Sequence, residues 1–361
     1  MNTPDPPDRG PQPDLPDRGP QPDLPERGPQ PDPPASGPPV GEATSAPGEG
    51  ALADPQPRQR PTLLVCVGDL MVDVAVEAPA LARGGDVAGA VRLGPGGSAA
   101  NVAVWGAAAG ARVRLVAGRG DDLAGRLLAA ALGERGVELR PAGAVAAASG
   151  AMLVVMEAGE RTFVADPGAN LLLAEADVTA ALEGAGAVFV SGYPLLRSAT
   201  RPAAMAAAAA AGRAGVPAVV DAASWPLLTG GAGEPVLAAA ALAGALVANR
   251  DEAAALAGLP DPAAAGSWLA RRVGTAVVKC GPAGVVVCDG DDPPVPVPAP
   301  AVATVDVTGA GDAFAAGYLL ARAGGTGPVG AASAGALLAA RAVATRGAWP
   351  ALPTGGPPEY P

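Results

Sequence analysis

From Leu63 onward, short apolar runs alternate with longer Ala- and Leu-rich stretches. The short runs are Leu63–Val67, Val113–Ala117, Ala187–Val190, Ala218–Asp221, Ala245–Val247, Thr275–Lys279 and Val285–Cys288. Apolar residues on consecutive positions predict strands buried on both faces. The longer stretches, Ala99–Ala109, Leu123–Glu134, Ala199–Ala211, Asp251–Ala257, Ala264–Arg272, Asp312–Ala323 and Val329–Ala344, predict helices. Such alternation predicts a mostly parallel sheet with helices on both faces. Two segments, within about 74–93 and 151–165, break the rhythm and read as short strands. The second would be a hairpin turning at Glu157-Ala158-Gly159-Glu160. These strands predict a small sheet standing off the main domain.

Residues 1–60 follow another rule. GPQPDLPDR, GPQPDLPER and GPQPDPPAS follow one another, and almost nothing there can be buried. Proline fixes extended backbone, so this segment reads as a disordered or polyproline-II tail. The rest, residues 61–350, is long enough for one large α/β domain. Residues 351–361 read as a loose Pro-rich end, and the loosening sets in at Trp349, where the last predicted helix has already stopped.

Composition narrows the chemistry. The chain is 49% hydrophobic but only 3% aromatic, so Ala, Val and Leu must fill the core. It has no histidine, which excludes His-based metal sites, Ser-His-Asp triads and histidine general bases. Lys279 is the only lysine. A net charge of −11 argues against nucleic acid as a partner. Cys66, Cys280 and Cys288 lie in apolar runs without a scaffold spacing, which predicts reduced thiols and a cytoplasmic protein. No signal-peptide pattern opens the chain, and the apolar run Val236–Ala248 is too short to span a bilayer.

The most informative segment is Val305–Leu319, VDVTGAGDAFAAGYL. A β-branched run, Ala301–Val307, is expected to be a strand that stops at Thr308-Gly309-Ala310-Gly311, with a helix starting at Asp312. Two glycines let the backbone approach a ligand closely, and the helix N-terminus faces it with free N–H groups. The result is an anion cradle with a carboxylate beside it. Asp312 could simply cap the helix. The placement also suits a base that deprotonates a hydroxyl attacking a phosphoryl group.

Other segments add polar groups at strand ends. Gly94-Pro95-Gly96-Gly97-Ser98-Ala99 opens the first long helix and matches a dinucleotide fingerprint only weakly, because no acidic residue ends the next strand. The alternative is close backbone approach to a small polar ligand, with Asn101 contacting a sugar hydroxyl. Asp73 reads as the end of the first strand unit, where carboxylates face the crevice of α/β sheets, or else as a solvated turn residue. Asn249-Arg250-Asp251-Glu252 reads as a capping box in which Glu252 could also help hold hydrated Mg²⁺. Lys279 ends a strand before Gly281 and Gly284, which could form only a turn.

Together these segments, from about Leu63 to Pro350, resemble the ribokinase-type (PfkB) carbohydrate kinase family. VDVTGAGDAFAAGYL resembles its C-terminal signature and PGGSAANVAVWGAAAG its N-terminal glycine signature; GRGDDLAG, PGAN, NRDE and KCGPAG fall in the family's order. The resemblance implies a ribokinase-like three-layer α/β/α sandwich with a mostly parallel central sheet and a small β-sheet lid. It implies transfer of the ATP γ-phosphate to a sugar hydroxyl. By that similarity Asp312 is the catalytic base and Gly309, Ala310 and Gly311 are the anion hole. Asp73, Gly96, Gly97, Asn101 and Asn170 would contact substrate; Asn249, Lys279, Gly281 and Gly284 the nucleotide; Glu252 Mg²⁺ through water. Asp306, Thr308, Ala342 and Gly347 match a monovalent-cation loop for K⁺. Ala351 stands where ribokinases often carry a serine, which puts K⁺ dependence in doubt. Ser191-Gly192-Tyr193 lacks the glutamate that ribokinases place near the sugar, which weakens ribose as the substrate.

Two other functions remain open at this point. A nucleoside kinase of the same fold would need an aromatic platform, available at Trp105, Phe163, Tyr193 or Trp225. A non-catalytic sugar-binding protein acting through its tail would not need Asp312. The partner expected is a small-molecule sugar, with no nucleic acid and no membrane, and the lid's edges could pair across a homodimer.

Overall fold

The structure is a computed structural model and describes residues 61–142, 146–157 and 160–352. The expected tail at 1–60, the hairpin tip at 158–159 and the end at 353–361 lie outside the described residues. The chain runs β1 (Leu63–Gly68), β2 (Met71–Ala78), β3 (Ala90–Gly96), α1 (Ser98–Ala108), β4 (Arg112–Gly118), α2 (Leu123–Gly133), β5 (Val137–Ala142), β6 (Gly150–Glu157) and β7 (Glu160–Asp166). It continues through α3 (Glu175–Ala181), β8 (Ala187–Val190), α4 (Gly192–Leu195), α5 (Arg201–Ala214), β9 (Ala218–Asp221), α6 (Glu234–Ala243), β10 (Ala245–Asn249) and α7 (Arg250–Ala257). The last elements are α8 (Pro262–Val273), β11 (Thr275–Lys279), β12 (Val285–Asp289), β13 (Val295–Val297), α9 (Ala310–Ala323) and α10 (Pro328–Val343).

Nine strands form the main sheet in the order β13-β12-β11-β10-β9-β8-β1-β4-β5. All neighbours are parallel except β12 and β13, which finish one edge as antiparallel strands. The outermost, β13, carries Pro296, a residue that edge strands tolerate and that blunts further pairing. The apolar runs explain the layering. Along β1 every residue is buried. Leu64 and Cys66 enter one core with α1, α2, α9 and α10. Leu63, Val65 and Val67 enter the other with α3, α5, α6 and α8. Strand side chains point alternately to opposite faces, so one run feeds two cores. With few aromatics, the helices meet through small residues: a Cβ on Gly317 of α9 would come within 3.0 Å of α10 at Ala334 O.

The lid is a separate four-stranded sheet in the order β3-β2-β6-β7. β2 pairs antiparallel with β3 and parallel with β6, and β6 and β7 form the expected hairpin. Three expectations need correction. Ala301–Val307 is an exposed connection, not a strand. Among the described residues no strand lies beside it; Val305 N and Asp306 N donate instead to Val343 O at the end of α10, at 2.7 and 3.2 Å. Trp349 is not part of a loose end: its indole is only 7% exposed and packs in the α1/α9 core. Asp73 does not end β1, which stops at Gly68; it lies within the lid strand β2.

Candidate active site

The parallel strands β1, β8, β9, β10 and β11 bring their C-terminal ends to one crevice, and each delivers a polar residue there: Asp69, Ser191, Asp221, Asn249 and Lys279. This is where open α/β sheets place ligands. A separate cavity of about 160 Å³ lies at the opposite strand ends, against Ala218, Ala245, Thr275 and Tyr318, away from these groups.

Helix α9 points its N-terminus into the crevice. Gly309 caps it with φ 75°, a left-handed conformation, and a Cβ there would press on Ala348 O at 2.6 Å. Ala310 N is turned back to Val307 O at 3.3 Å. The amides of Gly311 and Asp312, in the first helical turn, meet no acceptor among the described residues. Lys279 Nζ lies 3.1 Å from where a Gly311 Cβ would sit, so its ammonium hangs directly over this turn. Amides, helix dipole and ammonium together form an anion site.

The carboxylate of Asp312 faces the other way. Ser98 Oγ donates to its Oδ1 and Asn101 Nδ2 to its Oδ2, both at 2.8 Å. Burial, then the charge of Asp221, push its pKa up to about 7 against the pull of those two hydrogen bonds and Lys279. A carboxyl balanced near neutrality can accept a proton from an alcohol and release it again. Asn101 is itself held, because Trp349 Nε1 donates to its Oδ1 at 2.8 Å. Ser98 begins α1, where its amide donates to Asp69 Oδ2 at 2.8 Å, and Ser191 Oγ donates to Asp69 Oδ1 at 2.9 Å.

Asp73 approaches from the lid. It sits so close over Gly96 that any Cβ there would overlap its carboxylate. Burial and the nearby charge of Asp69 raise its pKa to about 6, and no protein donor meets it among the described residues. It is therefore a ready acceptor for ligand hydroxyls. Gly97, at φ 98°, turns the chain from β3 into α1 against Asp69 O. The glycine-rich stretch thus follows a lid strand and not the first strand of the main sheet, which removes the dinucleotide-fingerprint reading. Asn170, expected to contact substrate, is held by backbone: its amide accepts from Leu70 N and donates to Leu70 O and Pro167 O, at 2.9 to 3.0 Å, clamping the turn between β1 and β2.

On the other side, Asn249 and Glu252 form the capping box foreseen. Asn249 N and Nδ2 donate to the two Glu252 oxygens at 2.7 and 2.6 Å, and Glu252 N returns a bond to Asn249 Oδ1 at 2.9 Å. Burial, then Asp221, raise Glu252 to about 7. Both its oxygens are engaged, and among the described residues no group of three or more Cys, Asp or Glu could hold a metal. A Mg²⁺ here would depend on waters and phosphates, which suits that ion. Gly281 and Gly284 flank the turn between β11 and β12. The cation-loop residues do gather: Asp306 Oδ1 accepts from Thr308 N and Oγ1, and its Oδ2 from Gly347 N at 3.0 Å. Ala342 O accepts from Thr345 N and Oγ1 in the same loop.

The chain matches the pfkB family carbohydrate kinase over residues 61–355. It belongs to the pfkB family. Members of the pfkB family are phosphotransferases with alcohol acceptors. No curated protein matches the chain. Among solved structures it is similar to Arabidopsis thaliana ribokinase complexed with ribose and ATP, at 25% identity and TM-score 0.67, covering 80% of this chain and 94% of that one. Aminoimidazole riboside kinase from Salmonella enterica, complexed with aminoimidazole riboside and an ATP analogue, matches at 25% identity and TM-score 0.66, covering 81% and 97%. Adenosine kinase from Sinorhizobium meliloti shares the fold at 23% identity and TM-score 0.64, covering 81% and 96%.

Within this pfkB-family site Asp69, Asp221, Ser98 and Trp349 escaped the sequence, and Tyr193 was named only as a possible aromatic platform. Asp221 ends β9 and accepts from Lys279 Nζ at 3.1 Å. Burial works against the ammonium, but Asp221 and Glu252 outweigh it and its pKa stays raised. The rule that drew attention to Asp73, an acid at a strand's C-terminal end, would have found Asp221 and Asp69. Tyr193 begins α4, half-buried, its phenol pushed up by burial and by Asp69, Asp221, Glu252 and Asp312. Ser98 and Trp349 join the same site, and only their neighbours in space reveal them.

Proposed function

We propose that this chain transfers the γ-phosphate of ATP to a hydroxyl of a small carbohydrate. The observation that carries the reading is the back-to-back arrangement at the start of α9: an anion site of amides and the Lys279 ammonium on one side, and a proton-accepting Asp312 on the other. The acceptor hydroxyl sits against Asp312, while Asp73 and the free donor of Asn101 hold its neighbouring hydroxyls. At the Gly309–Gly311 turn, the free amides of Gly311 and Asp312 stabilise charge on the moving phosphoryl group. Lys279, held by Asp221, and the Asn249, Gly281 and Gly284 segments line the nucleotide side. Mg²⁺, held through water near Glu252, would neutralise charge on the phosphates. Asp306, Thr308, Ala342 and Gly347 offer oxygens to a K⁺ ion beneath the anion hole.

A nucleoside acceptor is the second reading, and one observation favours it. Phe163 shares the Asp73 face of the lid and is 59% exposed, a free surface for a base to stack on. Trp105 offers none, being buried with its Nε1 donated to Ala348 O at 2.9 Å. The opposite lid face carries Val91, Leu93, Leu153 and Val164, all exposed, which supports pairing of two lids in a homodimer. No helix among the described residues is long and apolar enough to cross a membrane. The test is coupled ADP release from ATP and Mg²⁺ over pentoses, hexoses, 2-keto-3-deoxy acids and nucleosides, with and without K⁺. Release that requires a sugar supports the first reading and release that requires a nucleoside the second. Release independent of every acceptor overturns both.

A further inference from the structure

A hydrogen-bond chain runs from the C-terminal loop to Asp312. Trp349 Nε1 donates to Asn101 Oδ1, and Asn101 Nδ2 donates to Asp312 Oδ2, each at 2.8 Å. An amide is donor at one end and acceptor at the other, so fixing one end fixes both. If Asn101 turned over, its oxygen would face the Asp312 carboxylate and its NH₂ would face the indole N–H, two repulsions replacing two bonds. The indole cannot retreat. It is 7% exposed, the guanidinium of Arg135 lies over its ring at 4.9 Å, and the adjoining Ala348 O is tied to Trp105 Nε1 at 2.9 Å.

We infer that Trp349 is a positioning residue, which acts through Asn101 to keep an N–H donor aimed at Asp312 and so holds that carboxylate ionised and oriented toward the acceptor. Asn101 is left with one amide hydrogen for the substrate, and therefore meets it as a donor. The inference rests on Asp312 being the base. The charged or titratable groups facing Asp312 are Asp221 from β9, Lys279 from β11, Glu252 from α7 and Tyr193 from α4, with the neutral Ser98 and Asn101 from α1. None of the charged or titratable groups is changed when the indole N–H is removed; only the hold on Asn101 is lost.

The experiment compares Trp349→Phe in the native background and in Asn101→Ala, using the acceptor that the ADP-release screen identifies. A lost bond of this kind, felt through a charged partner, should lower kcat about tenfold. KM for ATP should stay within about twofold, because the nucleotide side is untouched. The acid limb of kcat should move to higher pH, since Asp312 loses a donor that favours its ionised form. In Asn101→Ala the same change should do nothing more. Equal losses in both backgrounds, or a pH profile that does not move, would overturn the inference. A benzothienyl-alanine at position 349 keeps the ring shape without the N–H. It should match Trp349→Phe, and native turnover by it would also overturn the inference. A measurement free of any acceptor is the Tm difference between Trp349→Phe and Trp349→Phe/Asp312→Asn across pH, which should break at higher pH than the native pair. Full turnover by Asp312→Asn would instead defeat the base assignment itself.

Discussion

Replacing Asp312 by Asn should make the protein more stable at alkaline pH while removing its activity. Desolvation raises this carboxyl from 3.8 to about 7 in the folded protein. A raised acid contributes stability that is complete below the unfolded pKa and is lost as pH climbs through the folded one. The full cost at pH 8 is about 4 kcal/mol as an upper limit, and residual solvent access at the crevice reduces it to about 2. Roughly two thirds falls between pH 5 and pH 8. Asparagine does not titrate, so the variant escapes that loss. Any fixed cost of its own is small, because its amide oxygen can accept from Asn101 Nδ2 while its NH₂ turns to Ser98 Oγ, a hydroxyl that can also accept. That cost is the same at every pH and cancels in a comparison between two pH values. The assay is thermal unfolding of both proteins from pH 5 to pH 8. The Tm of Asp312→Asn should gain about 3–8 °C on the native protein over that interval. Parallel curves would show that Asp312 is solvated and ordinary, and would refute the argument.

Four other perturbations separate the parts of the site and test the lid. Gly309→Ala forces a side chain into a left-handed residue and against Ala348 O, so Tm should fall by several degrees and turnover by more than tenfold. Gly311→Ala meets only the flexible end of Lys279, so Tm should hold within about 2 °C while KM for ATP rises; an equal loss of stability in both variants would contradict the anion-site geometry. Lys279→Met leaves Asp221 and Glu252 without their cation, so ATP affinity should fall at least about tenfold with the acceptor KM little changed; unaltered ATP binding by calorimetry would remove the ammonium from the phosphate site. Leu93→Lys on the outer lid face should convert a dimer to monomers in light scattering, whereas a native protein already monomeric at high concentration would rule out lid pairing.

Much of the fold was legible because parallel strands buried on both faces leave continuous apolar runs, and β8, β9 and β11 lie where those runs were drawn. The connection before Gly309 misled for the same reason. Val302, Val305 and Val307 have strand propensity, yet among the described residues no neighbouring strand pairs with them. At the site, Asp312, Gly309 and Lys279 were legible because a turn, a cap and a strand end each leave a local pattern. Asp73 was placed on the wrong element, since two strands separated by Asp69 and Leu70 read as one unit. Ser98, Asp221 and Trp349 act through partners far off in sequence. Trp349 in particular meets Asn101 only after the whole domain has closed.

The central claim is that one carboxylate deprotonates the acceptor while the amides beside it hold the transferred phosphoryl group. Single-turnover transfer from radiolabelled ATP to the acceptor, measured for the native protein and Asp312→Asn at saturating nucleotide, tests this most directly. The account predicts a rate lower by about two to four orders of magnitude with ATP affinity unchanged. Transfer at the native rate by Asp312→Asn would contradict it.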